Sequence, residues 1–330
     1  MKFNDQFLKS IFFVLIVSII IIFISVFFQA LISNFYHAQY AGIFGNEQKS
    51  GSFTARFYPL ILGLTIYFKH SIKSQNLNYF LIFIFILSSI IIVLSGERTS
   101  LLLFMISNFL FLIFFKSIRK FLIYSSIIGL ILGTLLSQTI LKASFERHIV
   151  KTIKEITLTR SFSEHYKGHY ITGLNMFKHN VLFGIGPKLF RIECHKDHYK
   201  YIWNTIELRS GPTNKIYLKE QNSCATHPHN SYIQLLAEVG IFGFSFLSFL
   251  LVSVIYYFYK LIKQKSKINK ENIKYYYLYL SSLITIFLTL FPFIPNGSFF
   301  NNWINAIYYF PIGIVMYSNY VLNKNKSLML

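Results

Sequence analysis

Long apolar runs alternate with short polar segments along most of the chain. A membrane-spanning helix needs about 20 mostly apolar residues, and most of these runs approach that length. They predict about eight transmembrane helices, at 11–32, 57–68, 77–94, 99–115, 121–141, 231–259, 275–291 and 303–320. The second run is the weakest, because it is short and contains Pro59 and Gly63, and it spans only if residues 52–55 join it. The pattern therefore indicates an all-α, polytopic membrane protein.

One long polar segment, residues 142–228, interrupts the apolar runs and is large enough to form a small extramembrane domain. Apolar residues recur at helical spacing from Phe145 to Ile156, which favours an amphipathic helix lying on the bilayer or on helix ends. A second helical stretch is expected at 169–179. The predicted organisation is five N-terminal helices in 1–141, a partly helical loop domain in 142–228 and three C-terminal helices in 229–330.

The composition supports a membrane protein, since 54% of residues are hydrophobic and only 13% are charged. Soluble domains carry about 25% charged residues, so an ordinary cytosolic enzyme is excluded. The formal net charge is +20. A nucleic-acid-binding protein would also be basic, but its charges would not lie between long apolar runs, and no nucleic-acid partner is expected.

The basic residues of the short loops concentrate on the side of the membrane that holds the N-terminus. By the positive-inside rule, this predicts that both termini are cytoplasmic and that residues 142–228 lie on the outer side. That loop has twice as many basic as acidic residues. Its positive charge suits an anionic substrate or anionic lipid headgroups, and ordinary surface charge explains it equally well.

Both cysteines of the chain, Cys194 and Cys224, fall in the outer loop. In an oxidising compartment such a pair predicts a disulfide, which would stabilise the loop by roughly 3–4 kcal/mol. The alternatives are free thiols or a metal site, because His198 and His227 follow the two cysteines at distances that suit a two-Cys, two-His set. The disulfide is the favoured interpretation, and no metal or other cofactor is expected.

A histidine-containing segment lies where the loop re-enters the membrane, at residues 226–231. Pro228 fits the first turn of a helix and Thr226 could cap it, so that the helix N-terminus would favour an anion such as phosphate. His229 could then act as a general base, or it could simply hydrogen-bond the loop at the interface. Glu238 follows in the same helix, faces away from His229 and is expected to pair with a basic residue elsewhere.

Three further features of the pattern concern glycines and arginines. Gly240 and Gly243 would let another helix approach closely. Arg98 opens a helix at an outer turn, where its planar guanidinium can bind a phosphate or anchor the helix at the interface. Arg56 opens the weak second helix on the same side and has the same two interpretations.

These residues resemble the O-antigen ligase and polymerase family. Residues 95–102 resemble its Arg-x3-Leu region, and His229–Asn230 followed by nine residues and the glycines of 240–243 resemble its His-Asn-x9-Gly-x-x-Gly motif. Residues 180–186 look like the family's hydrophobic-Gly-Val-Gly segment, and 42–59 resemble an upstream stretch of some members. The resemblance covers roughly residues 40–250, and the histidine motif after a long outer loop is its specific part.

The resemblance implies a metal-independent, inverting glycosyltransferase of the bacterial inner membrane, with the long loop in the periplasm. Its donor would be an undecaprenyl-diphosphate-linked glycan, and its acceptor lipid A–core oligosaccharide (a ligase) or another glycan (a polymerase). By position, His229 would deprotonate the acceptor hydroxyl, supported by Asn230, and Arg98 would hold the diphosphate with Arg191 or Arg56. Membrane lipids are the remaining expected partners.

Two departures from the family pattern accompany this resemblance. Where many members have an arginine before the glycine turn, this chain has His165 and Lys167. Eight helices are also fewer than usual, which suggests that N-terminal helices are missing. Outside the family, a polysaccharide or lipid transporter is the alternative, although the predicted spans hold few charges besides Glu238.

Overall fold

The computed structural model describes residues 5–45, 47–68, 74–159, 164–208 and 216–327. This part of the chain is mainly helical, as predicted. In chain order its elements are α1 (Asp5–Ile32), α2 (Ser50–Tyr67), α3 (Ser74–Ser95), α4 (Arg98–Phe114), α5 (Arg119–Leu136), α6 (Lys142–Phe145), α7 (Lys151–Thr159), α8 (Glu164–His179), α9 (Phe190–Glu193), β1 (Ile202–Leu208), β2 (Ile216–Asn222), α10 (Ser231–Gln264), α11 (Ile273–Thr289), α12 (Asn302–Tyr309) and α13 (Pro311–Ser327).

Among the described residues, four helices are long and apolar enough to cross a membrane: Asp5–Ile32, Asn78–Ser95, Lys116–Leu136 and Ser231–Gln264. Arg98–Phe114 is also apolar but shorter. These helices coincide with five of the predicted spans, and the total of eight remains a prediction. The last predicted span, 303–320, is instead divided between α12 and α13. Pro311 opens α13, where its missing N–H group is tolerated.

The chain divides into two compact units. The first comprises Met1–Thr152, Val254–Thr289 and Tyr308–Leu330, and the second comprises Ile153–Ser253 and Leu290–Ile307. The predicted organisation, 1–141, 142–228 and 229–330, divides the chain by membrane side and not by compact units, and it remains a prediction.

Helix α2 forms the centre of the first unit and is buried along almost its whole length. It begins at Ser50, so residues 52–55 do join it. Gly63 lies directly against the Ser281 side chain of α11, where a Cβ atom would have no room. The Tyr58 hydroxyl donates a hydrogen bond to Asn108 Oδ1 of α4, at 3.0 Å. Because α2 is enclosed by protein, its polar side chains do not face lipid. This explains how a segment with several polar residues can lie at the centre of the unit.

The second unit contains a small core and a two-stranded antiparallel ribbon. The core is formed by Met176, Phe190, Cys194, Tyr199 and Ala237. In the ribbon, Ile202 pairs with Asn222 and Leu208 with Ile216. The ribbon is an addition to the expected all-α fold. The sequence contains features typical of a β-hairpin, since apolar and β-branched residues lie on both sides of Gly211–Pro212. Residues 209–215 themselves lie outside the described part of the chain.

Candidate functional site

The predicted histidine segment ends at an asparagine that caps α10. Asn230 Oδ1 accepts hydrogen bonds from the backbone N–H groups of Tyr232, at 3.0 Å, and Ile233, at 3.1 Å. An asparagine in this position satisfies two N–H groups that have no partner within the helix. The predicted cap at Thr226 and the predicted first turn at Pro228 are therefore wrong, because the helix begins at Ser231.

His229 precedes this cap and has a left-handed backbone, with a φ of 55°. Such a conformation costs a non-glycine residue on the order of 1–3 kcal/mol, so it persists only where the surroundings fix it. The His229 carbonyl accepts a hydrogen bond from the Asn296 N–H group at 2.8 Å. Asn230 Nδ2 donates to the Pro292 carbonyl at 2.8 Å. The connection before α12 thus holds the His229 carbonyl and the Asn230 side chain.

The ring of His229 belongs to a cluster of four rings, called here the histidine cluster: Tyr166, His169, His227 and His229. The centroid of the half-buried His229 ring lies 4.2 Å from that of His227, 5.0 Å from that of Tyr166 and 5.5 Å from that of His169. Tyr166 and His169 both come from α8, one helical turn apart. The loop and the start of α10 therefore bring three imidazoles together.

The hydrogen bond of His169 identifies which of its ring nitrogens carries a proton. His169 is buried, and its Nδ1 lies 2.7 Å from the Ser223 carbonyl oxygen. Because a carbonyl oxygen only accepts, Nδ1 is the protonated nitrogen. In the neutral ring, Nε2 then carries the lone pair. This histidine can accept a proton or a hydrogen bond through Nε2.

The predicted disulfide is present and lies next to this hydrogen bond. Cys194 and Cys224 are bonded, with their Cα atoms 5.2 Å apart. Ser223 precedes Cys224, and its hydroxyl accepts a hydrogen bond from the Tyr201 N–H group at 2.9 Å. The alternative metal site would have combined the cysteines with His198 and His227. Among the described residues, the potential metal ligand that lies close to both cysteines is instead His195. With the sulfur atoms bonded to each other, neither cysteine offers a thiolate to a metal.

Two glycine segments contact each other in the second unit, at a place called here the glycine junction (181–186 and 237–241). Gly240 interrupts α10, with φ 72° and ψ −158°. Its missing side chain leaves space for the backbone of Leu182, and that of Gly184 leaves space for the backbone of Glu238. The expectation that Gly240 admits another helix is wrong, because its partner is a turn of the loop. Gly243 lies against the side chains of Val239 and Leu235 of its own helix.

Three backbone hydrogen bonds complete the glycine junction. Ile185 N–H donates to the Ala237 carbonyl at 2.9 Å, Gly186 N–H to the Glu238 carbonyl at 3.0 Å and Ile241 N–H to the Val181 carbonyl at 2.9 Å. The interruption of α10 frees these carbonyl and amide groups, and the turn satisfies them. The two glycine motifs, which are about 50 residues apart in the chain, therefore form one structural unit.

Glu238 is fully buried beside this junction. Its Oε1 accepts a hydrogen bond from the Phe190 N–H group at 3.0 Å, and its Oε2 accepts one from Gln234 Nε2 at 3.0 Å. The positive charge of the exposed Arg191 also acts on this carboxylate. The predicted basic partner is thus present as a nearby charge, while the hydrogen bonds described above come from a backbone amide and a glutamine. Glu238 anchors the start of α9 to α10.

A second group of polar residues lies in the first unit and is called here the arginine cluster: Arg98, Arg147 and His148. Arg98 opens α4, as predicted, and its Nε donates to the Arg147 carbonyl at 3.2 Å. Arg147 Nε in turn donates to the Gly96 carbonyl at 2.8 Å. His148 is buried, with Nε2 3.3 Å from the Val93 carbonyl. Burial lowers the pKa of His148, and the charges of Arg147 and Arg98 act in the same direction although the Val93 contact opposes them.

Arg56 occupies a different environment in the same unit. It is only 3% exposed, lies 4.8 Å from the ring centroid of Tyr308 and donates from Nη1 to the Ser52 carbonyl at 3.2 Å. Nearby, Glu97 Oε1 accepts a hydrogen bond from the Gly51 N–H group at 2.7 Å. Burial raises the pKa of Glu97, whereas its hydrogen bonds and the Arg56 charge oppose the rise. These contacts stabilise the start of α2.

The glycine junction, the disulfide, the histidine cluster and Arg98 all fall within one region that matches a known family. The sequence model of the family described as O-antigen ligase matches residues 83–248, half of the chain. The chain belongs to the O-antigen ligase family. A search of curated proteins finds no match. Family membership, together with the apolar helices, identifies a multi-pass membrane protein.

Within this O-antigen ligase family member, the structure groups the predicted site residues in two sets. His229, Asn230, Glu238, Gly240, Arg191 and both cysteines belong to the second unit, whereas Arg98 and Arg56 belong to the first. Arg56 also lies outside the residues that match the family. Each set is built around its own hydrogen bonds.

The sequence of this family member gave weaker signals for three residues that the structure adds to these sets. The spacing of Tyr166 and His169 places them on one face of α8. It does not indicate that this face lies next to His229. Arg147 was part of the amphipathic stretch, and its bond to Gly96 joins positions far apart in sequence. His165 and Lys167, which stand in place of the arginine that the resemblance led us to expect, lie on either side of Tyr166 in α8. The side chain of His165 lies outside the described residues.

Proposed function

We propose that this protein transfers a glycan from undecaprenyl diphosphate to an acceptor hydroxyl at the periplasmic face of the bacterial inner membrane. The proposed acceptor is lipid A–core oligosaccharide, which makes the protein an O-antigen ligase. Family membership supports a ligase- or polymerase-type membrane glycosyltransferase. The observation that carries the mechanistic assignment is the half-buried His229, whose backbone is fixed immediately before the capped N-terminus of α10.

His229 is the proposed general base. Its ring takes the proton of the acceptor hydroxyl while the hydroxyl oxygen attacks the anomeric carbon of the donor glycan. The bond from that carbon to the diphosphate oxygen breaks, and the diphosphate leaves with the electron pair. Attack opposite the leaving group inverts the anomeric configuration. The fixed backbone supports this role, because a general base must keep its reach to the proton that it removes.

The histidine cluster supports the same role electrostatically. His169 and His227 lie beside His229, and a second positive charge in a group of adjacent imidazoles is unfavourable. A neutral imidazole is the form that a general base requires.

Arg98 is the proposed ligand of the diphosphate leaving group. Arg147 joins it, because Arg98 donates to the Arg147 carbonyl and Arg147 donates to the carbonyl of Gly96, two residues before Arg98. Two guanidinium groups can neutralise the charge that develops on the diphosphate, so the proposed reaction does not need a metal ion. Arg191 is a second candidate, since it is exposed on α9. Arg56 is less suited, because it is buried against Tyr308 and assists the start of α2.

The direct test is transfer by the purified protein. The protein in lipid nanodiscs is incubated with an undecaprenyl-diphosphate-linked glycan and lipid A–core, with and without a chelator. The expected result is an acceptor of increased mass, formed at the same rate in chelator. His229→Ala should lower this rate by about 10²–10⁴-fold, which is the usual contribution of a general base. His227→Ala is the matched control, expected to lose less, and unchanged thermal unfolding would show that both variants are folded.

The acceptor separates the alternatives. A polymerase would lengthen the lipid-linked glycan in the absence of lipid A–core, and a transporter would form no new glycosidic bond with either acceptor. Full transfer activity in folded His229→Ala would contradict the general-base assignment. Loss of transfer in chelator, reversed by adding a divalent cation, would contradict the metal-independent mechanism.

A further inference from the structure

The glycine junction presents an apolar tip. Val181, Leu182 and Phe183 are 46%, 57% and 73% exposed, although they lie in the middle of the polar loop. Three consecutive large apolar side chains are rarely left in water without a function. Their backbone cannot retract, because the Val181 carbonyl is bonded to Ile241 N–H and Leu182 lies against Gly240. The turn therefore holds these side chains outward.

This apolar tip is continuous with the exposed face of α10. The ring of Phe183 stacks on that of Phe242, with centroids 5.5 Å apart. Phe242, Phe246 and Phe249 are all exposed, and their spacing places them on one face of the helix. Since α10 is apolar enough to cross a membrane, this face is where acyl chains would contact it.

The helix break marks where the apolar part of α10 begins. Residues 231–239, before Gly240, include Gln234 and Glu238, whereas 241–259 contain no charged residue. At 1.5 Å per residue, the segment 241–259 is about 28 Å long, close to the roughly 30 Å of a bilayer core. The segment after the break can therefore span the core without the one before it. The apolar tip contacts α10 at the upper end of this span.

We propose that the apolar tip, residues 181–183, inserts into the outer leaflet and anchors the loop to bilayer lipid. Exposed Lys178 and Lys188 flank it, where ammonium groups would meet lipid phosphates. The membrane surface then lies near Gly240, and His229 stands two to three turns of α10 above it. This inference concerns the position of the loop and does not depend on the catalytic role of His229.

The test measures which medium surrounds position 183. Both tryptophans of the chain, Trp203 and Trp303, are replaced by phenylalanine, and Phe183→Trp then supplies one reporter in the full-length protein. Phe246→Trp, on the exposed face of α10, is the control for lipid contact. Ile202→Trp, an exposed apolar position at the start of β1, is the control outside the apolar tip. Each variant is placed in phosphatidylcholine–phosphatidylglycerol bilayers, with and without brominated acyl chains.

The expected result is that brominated lipid removes most of the emission at positions 183 and 246, while aqueous iodide has little effect on either. At position 202, iodide should be the stronger quencher. Strong quenching of position 183 by iodide alone would place the tip in water and overturn the proposal. Protection from both quenchers would also overturn it, because it would show that protein, such as a second copy of the chain, covers the tip.

Discussion

The histidine cluster and the arginine cluster are fixed in different ways. Around His229 and along α10, most restraints involve backbone groups: a left-handed residue, the N–H groups capped by the Asn230 side chain and the backbone contacts of the glycine junction. The disulfide lies beside them. In the arginine cluster, guanidinium groups donate to main-chain carbonyls of neighbouring segments. A backbone-built site loses shape when one residue changes, whereas a side-chain-built site loses mainly the charge that was removed. Substitutions that disturb backbone contacts should therefore reduce stability in the second unit, whereas loss of a guanidinium should mainly reduce binding.

The largest effect is expected at the glycine junction. Gly240→Ala would force a Cβ atom onto the Leu182 backbone and impose a left-handed φ on alanine. Because neither backbone can move without breaking the bonds of Val181 and Glu238, we expect a loss of more than about 3 kcal/mol. Thermal unfolding in detergent measures this loss, together with the fraction of protein that folds at all.

Gly133→Ala is the matched control for that change. Gly133 lies in α5, and a Cβ atom added there meets no described atom within 4 Å. Alanine should be neutral or stabilise the helix by about 0.5–1 kcal/mol. Equal melting temperatures of the Gly240→Ala and wild-type proteins would contradict the backbone-built description of the second unit.

Removal of the disulfide should have the next largest effect. The bond joins residues separated by 30 positions, and its loss is expected to destabilise the second unit by about 3 kcal/mol. Because Ser223 next to Cys224 orients His169, transfer activity should fall as well. A reductant titration of the wild-type protein, followed by melting temperature and transfer rate, measures both. The Cys194→Ser/Cys224→Ser variant is the control and should not respond to reductant.

Arg98→Ala should affect binding more than stability. A hydrogen bond to a charged group is worth about 1.5–3 kcal/mol, so the KM for the lipid-linked donor should rise by roughly 10–100-fold. The melting temperature should change little. Arg98→Lys keeps the charge but not the planar guanidinium, so its KM should lie between those of the wild type and Arg98→Ala. A drop in melting temperature as large as that of Gly240→Ala would remove the distinction between the two clusters.

The same distinction explains how much the sequence could predict. His229, Asn230 and Arg98 stand out because they are polar residues at the ends of apolar runs, and the cysteines stand out because both cysteines of the chain fall in one loop. The partner of Gly240 could not be predicted, since a glycine records only that something approaches closely. The contacts of Arg147 and His169 could not be predicted either, because their acceptors are the carbonyls of Gly96 and Ser223, which sequence patterns do not reveal. The eight spans, the orientation and the role of each site residue remain predictions.

The smallest expected effect concerns the pH dependence of the first unit. Burial lowers the pKa of His148 below its ordinary value of 6.5, so the folded state binds fewer protons than the unfolded state as the pH falls through that value. Folding stability should therefore rise with pH up to about 6.5, by less than about 1.4 kcal/mol for each pKa unit of the shift. The buried Glu97 gives the opposite slope at pH values above its ordinary pKa of 4.5, because its pKa is raised. His148→Gln removes the pH dependence due to His148 and keeps that due to Glu97. The melting temperature of the variant should therefore fall less than that of the wild type between pH 7 and pH 5.5. Parallel curves for the two proteins would show that His148 does not titrate against folding.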